Sequence, residues 1–164
     1  MKRAAVLTIS DRGYRGQRED ASGPLVKDIL SGAGFSVVHS RVLPDDENSI
    51  KKCLRSLADE LHLDLVVTTG GTGVSPTDVT PDATLAVIHR QVSGMAEAMR
   101  ASSLEKTPNA MLSRAVAGIR GQTLIINLPG SLRGARENLE VVLPALHHAL
   151  EKIKGDPSEC GSTA

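Results

Sequence analysis

Two aspartates and a run of glycines carry the chemistry that can be read from this chain. The run is Gly70-Gly71-Thr72-Gly73, entered through the apolar Leu65-Val66-Val67 and followed by Asp78. Residues without side chains let backbone N–H groups turn toward an anion. Read alone, GGTG is equally a tight strand-to-helix turn. Asp78 favours the anion site, because a carboxylate beside such a loop is unfavourable unless a cation sits between acid and anion. Asp45, fixed by Pro44 at the end of an earlier apolar segment, is a second acid able to face that place. Its neighbours Asp46 and Asn48 stand nearer the next helix and suit capping.

A phosphate site with a place for Mg²⁺, held by Asp45 and Asp78, is coherent for transfer onto a phosphate. A phosphate monoester loses its second proton near pH ~6 and is already a nucleophile at neutral pH. Such a reaction needs donors for anions and carboxylates for the metal, with no general base. Other chemistries lack their residues. No Gly-Lys-Ser/Thr follows the glycines and no GxGxxG is present, which excludes a P-loop and a dinucleotide fingerprint. The histidines (39, 62, 89, 147 and 148) have no ligand spacing, and Ser10, Ser75 and Ser131 have no histidine expected beside them.

The elements that must position these residues alternate. Strands are expected at residues 4–10, 35–43 and 65–69, helices at 22–33 and 49–61. Shorter helices follow at 82–90, 94–104 (Met95, Ala98 and Met99 inward) and 108–115 (Met111 and Leu112 inward). Thr80 is expected as an N-cap with Pro81 at the first helical position. Residues 117–122 and 123–127 read as a hairpin, and the helix from Leu132 meets Pro144, which should kink or restart it. The fold class is therefore α/β, a three-layer αβα arrangement with a mostly parallel central sheet and one antiparallel hairpin strand. Right-handed crossovers bring Ser10-Asp11-Arg12, Pro44-Asp45, residues 70–78 and residues 127–131 to one edge.

Composition bounds the rest. With 164 residues the chain fits a single domain, expected over residues 1–155 with a disordered tail at 156–164. Lys plus Arg equals Asp plus Glu at 19 each, so no charge excess draws it to nucleic acid or an anionic membrane. Tyr14 and Phe35 are the only aromatics, too few for base stacking. Two unpaired-looking cysteines, no signal-peptide pattern and no membrane-length apolar run lead to a cytoplasmic expectation.

With these residues in view, the chain resembles the MogA/MoaB group of molybdenum cofactor biosynthesis proteins, which includes the G domain of gephyrin. The matching stretches are LTISDR, LPDDENSI, TTGGTGVSPTDVTPDAT, MAEAMR, TPNAMLSRAVAGIRG and TLIINLPGS, spanning residues 4–154. The resemblance implies a homotrimer and Mg²⁺- and ATP-dependent adenylylation of molybdopterin: the pterin phosphate attacks the α-phosphorus of ATP and pyrophosphate leaves. It implies Asp45 and Asp78 as catalytic and metal-binding residues. Ligand-binding positions are implied at Thr69, Gly70, Gly71, Thr72, Gly73 and Ser75, flanked by Ser10, Asp11, Arg12, Pro129, Gly130 and Ser131. The alternative it carries is a MoaB-like protein that binds molybdopterin without turnover. A molybdate-inserting protein is a further partner to expect. Thr77 stands where relatives often have Arg or Lys, and Leu132 where a proline is usual.

Overall fold

The computed structural model describes residues 1–161. Its strands are β1 (Arg3–Ile9), β2 (Ser36–Leu43), β3 (Leu65–Thr69), β4 (Arg90–Gln91), β5 (Ala117–Arg120) and β6 (Thr123–Leu128). The helices are α1 (Asp11–Tyr14), α2 (Ser22–Gly32), α3 (Glu47–Arg55), α4 (Thr80–Val87), α5 (Ser93–Leu104) and α6 (Leu132–Ile153). One sheet holds the strands in the order β2-β1-β3-β6-β5-β4. β2, β1, β3 and β6 are parallel, and β5 runs antiparallel to both of its neighbours.

Alternation of side chains along the parallel strands divides the interior in two. Ala4, Val6, Leu65, Val67, Leu124 and Ile126 pack with Val26, Leu30, Met99, Leu139 and Leu146 from α2, α5 and α6. Ala5, Leu7, Val66 and Ile125 face the opposite way, toward Ile50, Leu54, Ala83 and Val87 of α3 and α4. The sheet is thus the middle of three layers. Every residue of β3 and β6 is buried, as central parallel strands covered on both faces require. Buried Asn127 on β6 ties the layers together: its amide nitrogen donates to Thr68 Oγ1 and Thr84 Oγ1, each at 3.0 Å. No helix among the described residues is long and apolar enough to cross a membrane.

Several local expectations give way to tertiary contacts. The polar stretch after β1 contains the one-turn helix α1, closed by Ser10 Oγ accepting from the Gly13 amide at 3.0 Å. Thr80 is the first residue of α4 and not its cap, because its hydroxyl donates to Gly70 O at 2.9 Å. Asp46, in contrast, caps α3 as expected, accepting from the Ser49 amide, and the helix continues past Arg55 as a π-helical turn, Ser56–Glu60. Ala96 is the buried alanine of α5, and Ala98, expected inward, is exposed. Pro108–Leu112 is a 3₁₀ turn, so only Ala110 is buried, while Met111 (69 % exposed) and Leu112 (50 %) face outward. α6 runs through Pro144 without restarting. Of the tail expected to be disordered, residues 162–164 lie outside the described residues; within the described part, Lys152 Nζ donates to Asp156 O and Ser158 Oγ.

Candidate functional site

The carboxyl ends of β1, β2, β3 and β6 share one edge, and the loops that leave them bond to one another there. Ser10 N donates to Leu43 O at 2.9 Å and Gly70 N to Leu128 O at 3.1 Å, so each loop starts in register with its neighbour. Thr69 Oγ1 donates to Pro129 O at 2.7 Å. Gly130 passes so close to Gly70 that a Cβ on it would sit 3.2 Å from Gly70 Cα. Gly70 and Gly71 adopt φ of 101° and 65°, the left-handed region that favours glycine. Gly73, in contrast, needs its lack of a side chain for space, since a Cβ there would lie 2.8 Å from Asp78 Oδ2. The amides of Gly71, Thr72 and Gly73 donate to no protein acceptor among the described residues.

A cavity of about 450 Å³ opens at this edge. Its walls include Ser10, Asp45, Thr69, Gly70, Gly71, Asp78, Gly130 and Ser131, eight of the positions singled out from sequence. Thr72, Gly73 and Pro129 line an adjoining cavity of about 390 Å³, on whose wall Ser131 also stands, with Arg100, Lys106, Ser103 and Asn138 opposite. The glycine loop and the Pro129-Gly130-Ser131 turn contribute residues to the walls of both. Arg12 and Ser75 are exposed and line neither cavity.

Asp45 is held by a reciprocal pair with Asp11. The Asp11 amide donates to Asp45 Oδ2 and the Asp45 amide to Asp11 Oδ1, both at 2.9 Å. Asp11 therefore supports Asp45 from behind. Ser75 does the same for Asp78, whose Oδ2 accepts the Ser75 amide at 3.0 Å. Neither Asp45 nor Asp78 forms an ion pair among the described residues. Burial pushes the Asp45 carboxyl above its ordinary pKa; the Asp11 amide pulls it down, and the charges of Asp11 and Asp78 push it up again. A cation between Asp45 and Asp78 relieves that repulsion. No set of three potential metal-ligating side chains occurs among the described residues. Two carboxylates completed by phosphate oxygens and water is nevertheless an arrangement Mg²⁺ commonly takes, so the residues present fit a metal that arrives with a phosphate ligand.

The hydroxyls expected to meet ligand also serve the fold. Ser10 Oγ and Ser131 Oγ each accept a backbone amide, from Gly13 and Gly134, at 3.0 Å. Accepting leaves each O–H free to donate. Sequence reasoning missed Thr8, Asp20 and Ser22, which line the carboxylate cavity. Asp20 accepts from Thr8 Oγ1 at 2.7 Å and from the Gly23 amide at 3.0 Å. An Asp three residues before a helical amide is a capping pattern, so Asp20 had a signal; Thr8, inside an apolar strand, had none.

An edge with unbonded loop amides next to two carboxylates outside any ion pair can receive an anion together with a cation, as α/β proteins that handle phosphate esters do. The chain belongs to the family described as probable molybdopterin binding domain, whose model matches residues 5–148. It is 43 % identical over 153 residues to the molybdopterin adenylyltransferase of Helicobacter pylori strain J99, covering 92 % of this chain and 87 % of that protein. It is 44 % identical over 162 residues to gephyrin of Dictyostelium discoideum, covering 93 % of this chain but 22 % of that longer protein. Its fold matches the solved molybdopterin biosynthesis enzyme MoaB of Thermus thermophilus with a TM-score of 0.90 at 51 % identity, over 97 % of this chain and all of that one.

Proposed function

We propose that this protein adenylylates molybdopterin, using Mg²⁺ and ATP, in the biosynthesis of the molybdenum cofactor. The observation that carries the reading is two carboxylates outside any ion pair on the wall of one cavity, next to a glycine loop whose Gly71, Thr72 and Gly73 amides are unbonded. The adenylyltransferase relative supports the reaction type. A pterin phosphate oxygen forms a bond to the α-phosphorus of ATP, the α–β bridging P–O bond breaks, and its electron pair leaves with pyrophosphate. No proton is moved, which suits a site without a histidine. Asp45 and Asp78 would hold Mg²⁺, which neutralises phosphate charge when bound. Gly71, Thr72 and Gly73 amides orient the phosphate, and Asp11 and Ser75 keep the two carboxylates aimed. The adjoining cavity, with Ser103 and Asn138 on its wall, offers room and polar groups for a heterocycle. A homotrimer belongs to this reading, and the outward-facing Met111 and Leu112 are surface available to a neighbouring copy.

Pyrophosphate release from ATP plus molybdopterin tests the proposal in the parent, Asp45→Asn and Asp78→Asn, with and without Mg²⁺. Turnover is expected only with Mg²⁺. Each variant should lose at least ~10²-fold, about 2.7 kcal/mol of transition-state stabilisation, with molybdopterin affinity little changed. A parent that binds molybdopterin without turnover is a binding module instead.

A further inference from the structure

Arg114 lies between the 3₁₀ turn and β5, in a segment remote in sequence from the glycine loop, yet it grips both ends of the stretch that joins that loop to α4. Its backbone amide donates to Thr72 O at 2.8 Å. Its Nε donates to Gly73 O at 2.8 Å and its Nη2 to Asp78 O at 2.5 Å. The same guanidinium makes a two-pronged pair with Asp82 in the first turn of α4, Nη1 to Oδ1 at 3.1 Å and Nη2 to Oδ2 at 3.0 Å. One rigid group thus joins the last glycine of the loop, the backbone of Asp78 and the helix that follows.

The remaining support of that segment is slight. Residues 74–77 are exposed. Within residues 73–78 the Asp78 carboxylate accepts Ser75 N, the Ser75 carbonyl accepts Asp78 N at 2.9 Å, and the Ser75 and Thr77 hydroxyls meet at 3.2 Å. A solvent-exposed Arg–Asp pair alone contributes about 0–1 kcal/mol to stability. Bonds from the same fork to two carbonyls flanking a functional carboxylate do something different: they fix where that carboxylate stands. Lysine cannot substitute, because one ammonium cannot reach both carbonyls and also meet Asp82 in a planar fork.

We propose that Arg114, oriented by Asp82, is the positioning residue that holds the 73–78 segment so that Asp78 meets the metal. The inference rests on the Mg²⁺ role proposed for Asp78 above. It requires no contact between Arg114 and the reacting atoms. It also gives the charged side chain of Asp82 a function beyond the helix N-terminus it occupies.

The test compares the full-length parent with Arg114→Lys and Asp82→Asn in two measurements. Amide hydrogen exchange on the ligand-free protein reports the segment directly, through the Ser75 amide that donates to Asp78. Calorimetry reports the Mg²⁺ concentration at half-maximal ATP binding. Arg114→Lys should speed Ser75 exchange at least ~tenfold and raise the half-maximal Mg²⁺ concentration at least ~fivefold, with Asp82→Asn giving smaller shifts in the same direction. Unchanged Ser75 exchange in both variants overturns the proposal. So does faster exchange with an unmoved Mg²⁺ midpoint, which makes Arg114 a merely structural clamp. If the parent itself binds ATP without regard to Mg²⁺, the metal role of Asp78 fails and this inference fails with it. Mg²⁺-dependent binding in the parent, left unmoved in the variants, sinks only the inference.

Discussion

At the amino edge of the sheet, Asp64 stands buried just before β3, its carboxylate accepting the Arg3 amide at 2.6 Å and paired with Lys154 beyond the end of α6. At the carboxyl edge, Asp45 stands just beyond β2 with the charges of Asp11 and Asp78 acting on it and, among the described residues, no ion pair. Burial works to raise the Asp64 carboxyl, but the Lys154 ammonium and the Arg3 amide outweigh it and hold the pKa below the usual value. Burial and like charges leave Asp45 above it. Nearby Asp59 repeats the amino-edge pattern, paired with Arg120 at 2.7 Å. The same residue type is therefore neutralised by a paired cation at one edge and left outside any ion pair at the other. Paired acids close a fold, whereas perturbed carboxylates in a cleft cluster at functional sites.

That contrast can be broken from the structural side. Asp64→Ala should destabilise the protein by about 1.5–3 kcal/mol, since a charged hydrogen-bond partner is lost from a buried site. Chemical denaturation of parent and variant measures it. Because the Asp64 pKa is depressed on folding, its contribution is present above the unfolded-state value of about 4 and is lost as pH falls through the lower folded value. The stability difference should be constant from about pH 7 to 5 and shrink below about 4.

Glycines sharpen the same comparison. Gly71 and Gly121 share a left-handed backbone, φ 65° and 57°, but a Cβ on Gly71 would lie 2.5 Å from Thr80 Oγ1 while one on Gly121 meets nothing within 4 Å. Gly121→Ala should cost about 1–2 kcal/mol from backbone strain. Gly71→Ala should cost at least as much and also weaken phosphate-ligand binding tenfold or more, about 1.4 kcal/mol. Equal stability losses with unchanged affinity would leave the glycine loop a mere turn. The smallest effect belongs to the Lys2–Glu151 pair, 3.3 Å long with Glu151 half exposed. Glu151→Ala should change stability by less than about 1 kcal/mol.

Much of this organisation was legible in the sequence where it depends on local pattern. Apolar runs marked the strands, and their alternation with helices implied a mostly parallel sheet and the convergence of Ser10, Asp45, Gly70 and Gly130 at one edge; the order of the strands was not read. What stayed hidden depends on contacts between distant segments. Thr80 has the local signature of a cap but spends its hydroxyl on Gly70. Met111 and Leu112 read as core under a 3.6-residue period and turn outward in a 3₁₀ turn. Arg114 looks like any surface arginine until the chain folds Gly73, Asp78 and Asp82 around it. Two-residue β4 is recruited by the hairpin strand beside it and has no pattern of its own.

The most direct measurement is calorimetric titration of ATP into the parent and into the Asp45→Asn/Asp78→Asn double variant, each with Mg²⁺ and with EDTA. The parent should bind ATP more tightly with Mg²⁺ by at least ~tenfold, and the double variant should bind equally with or without the metal. A double variant that keeps the full Mg²⁺ enhancement would contradict the assignment of these two carboxylates as the place where the external cation sits.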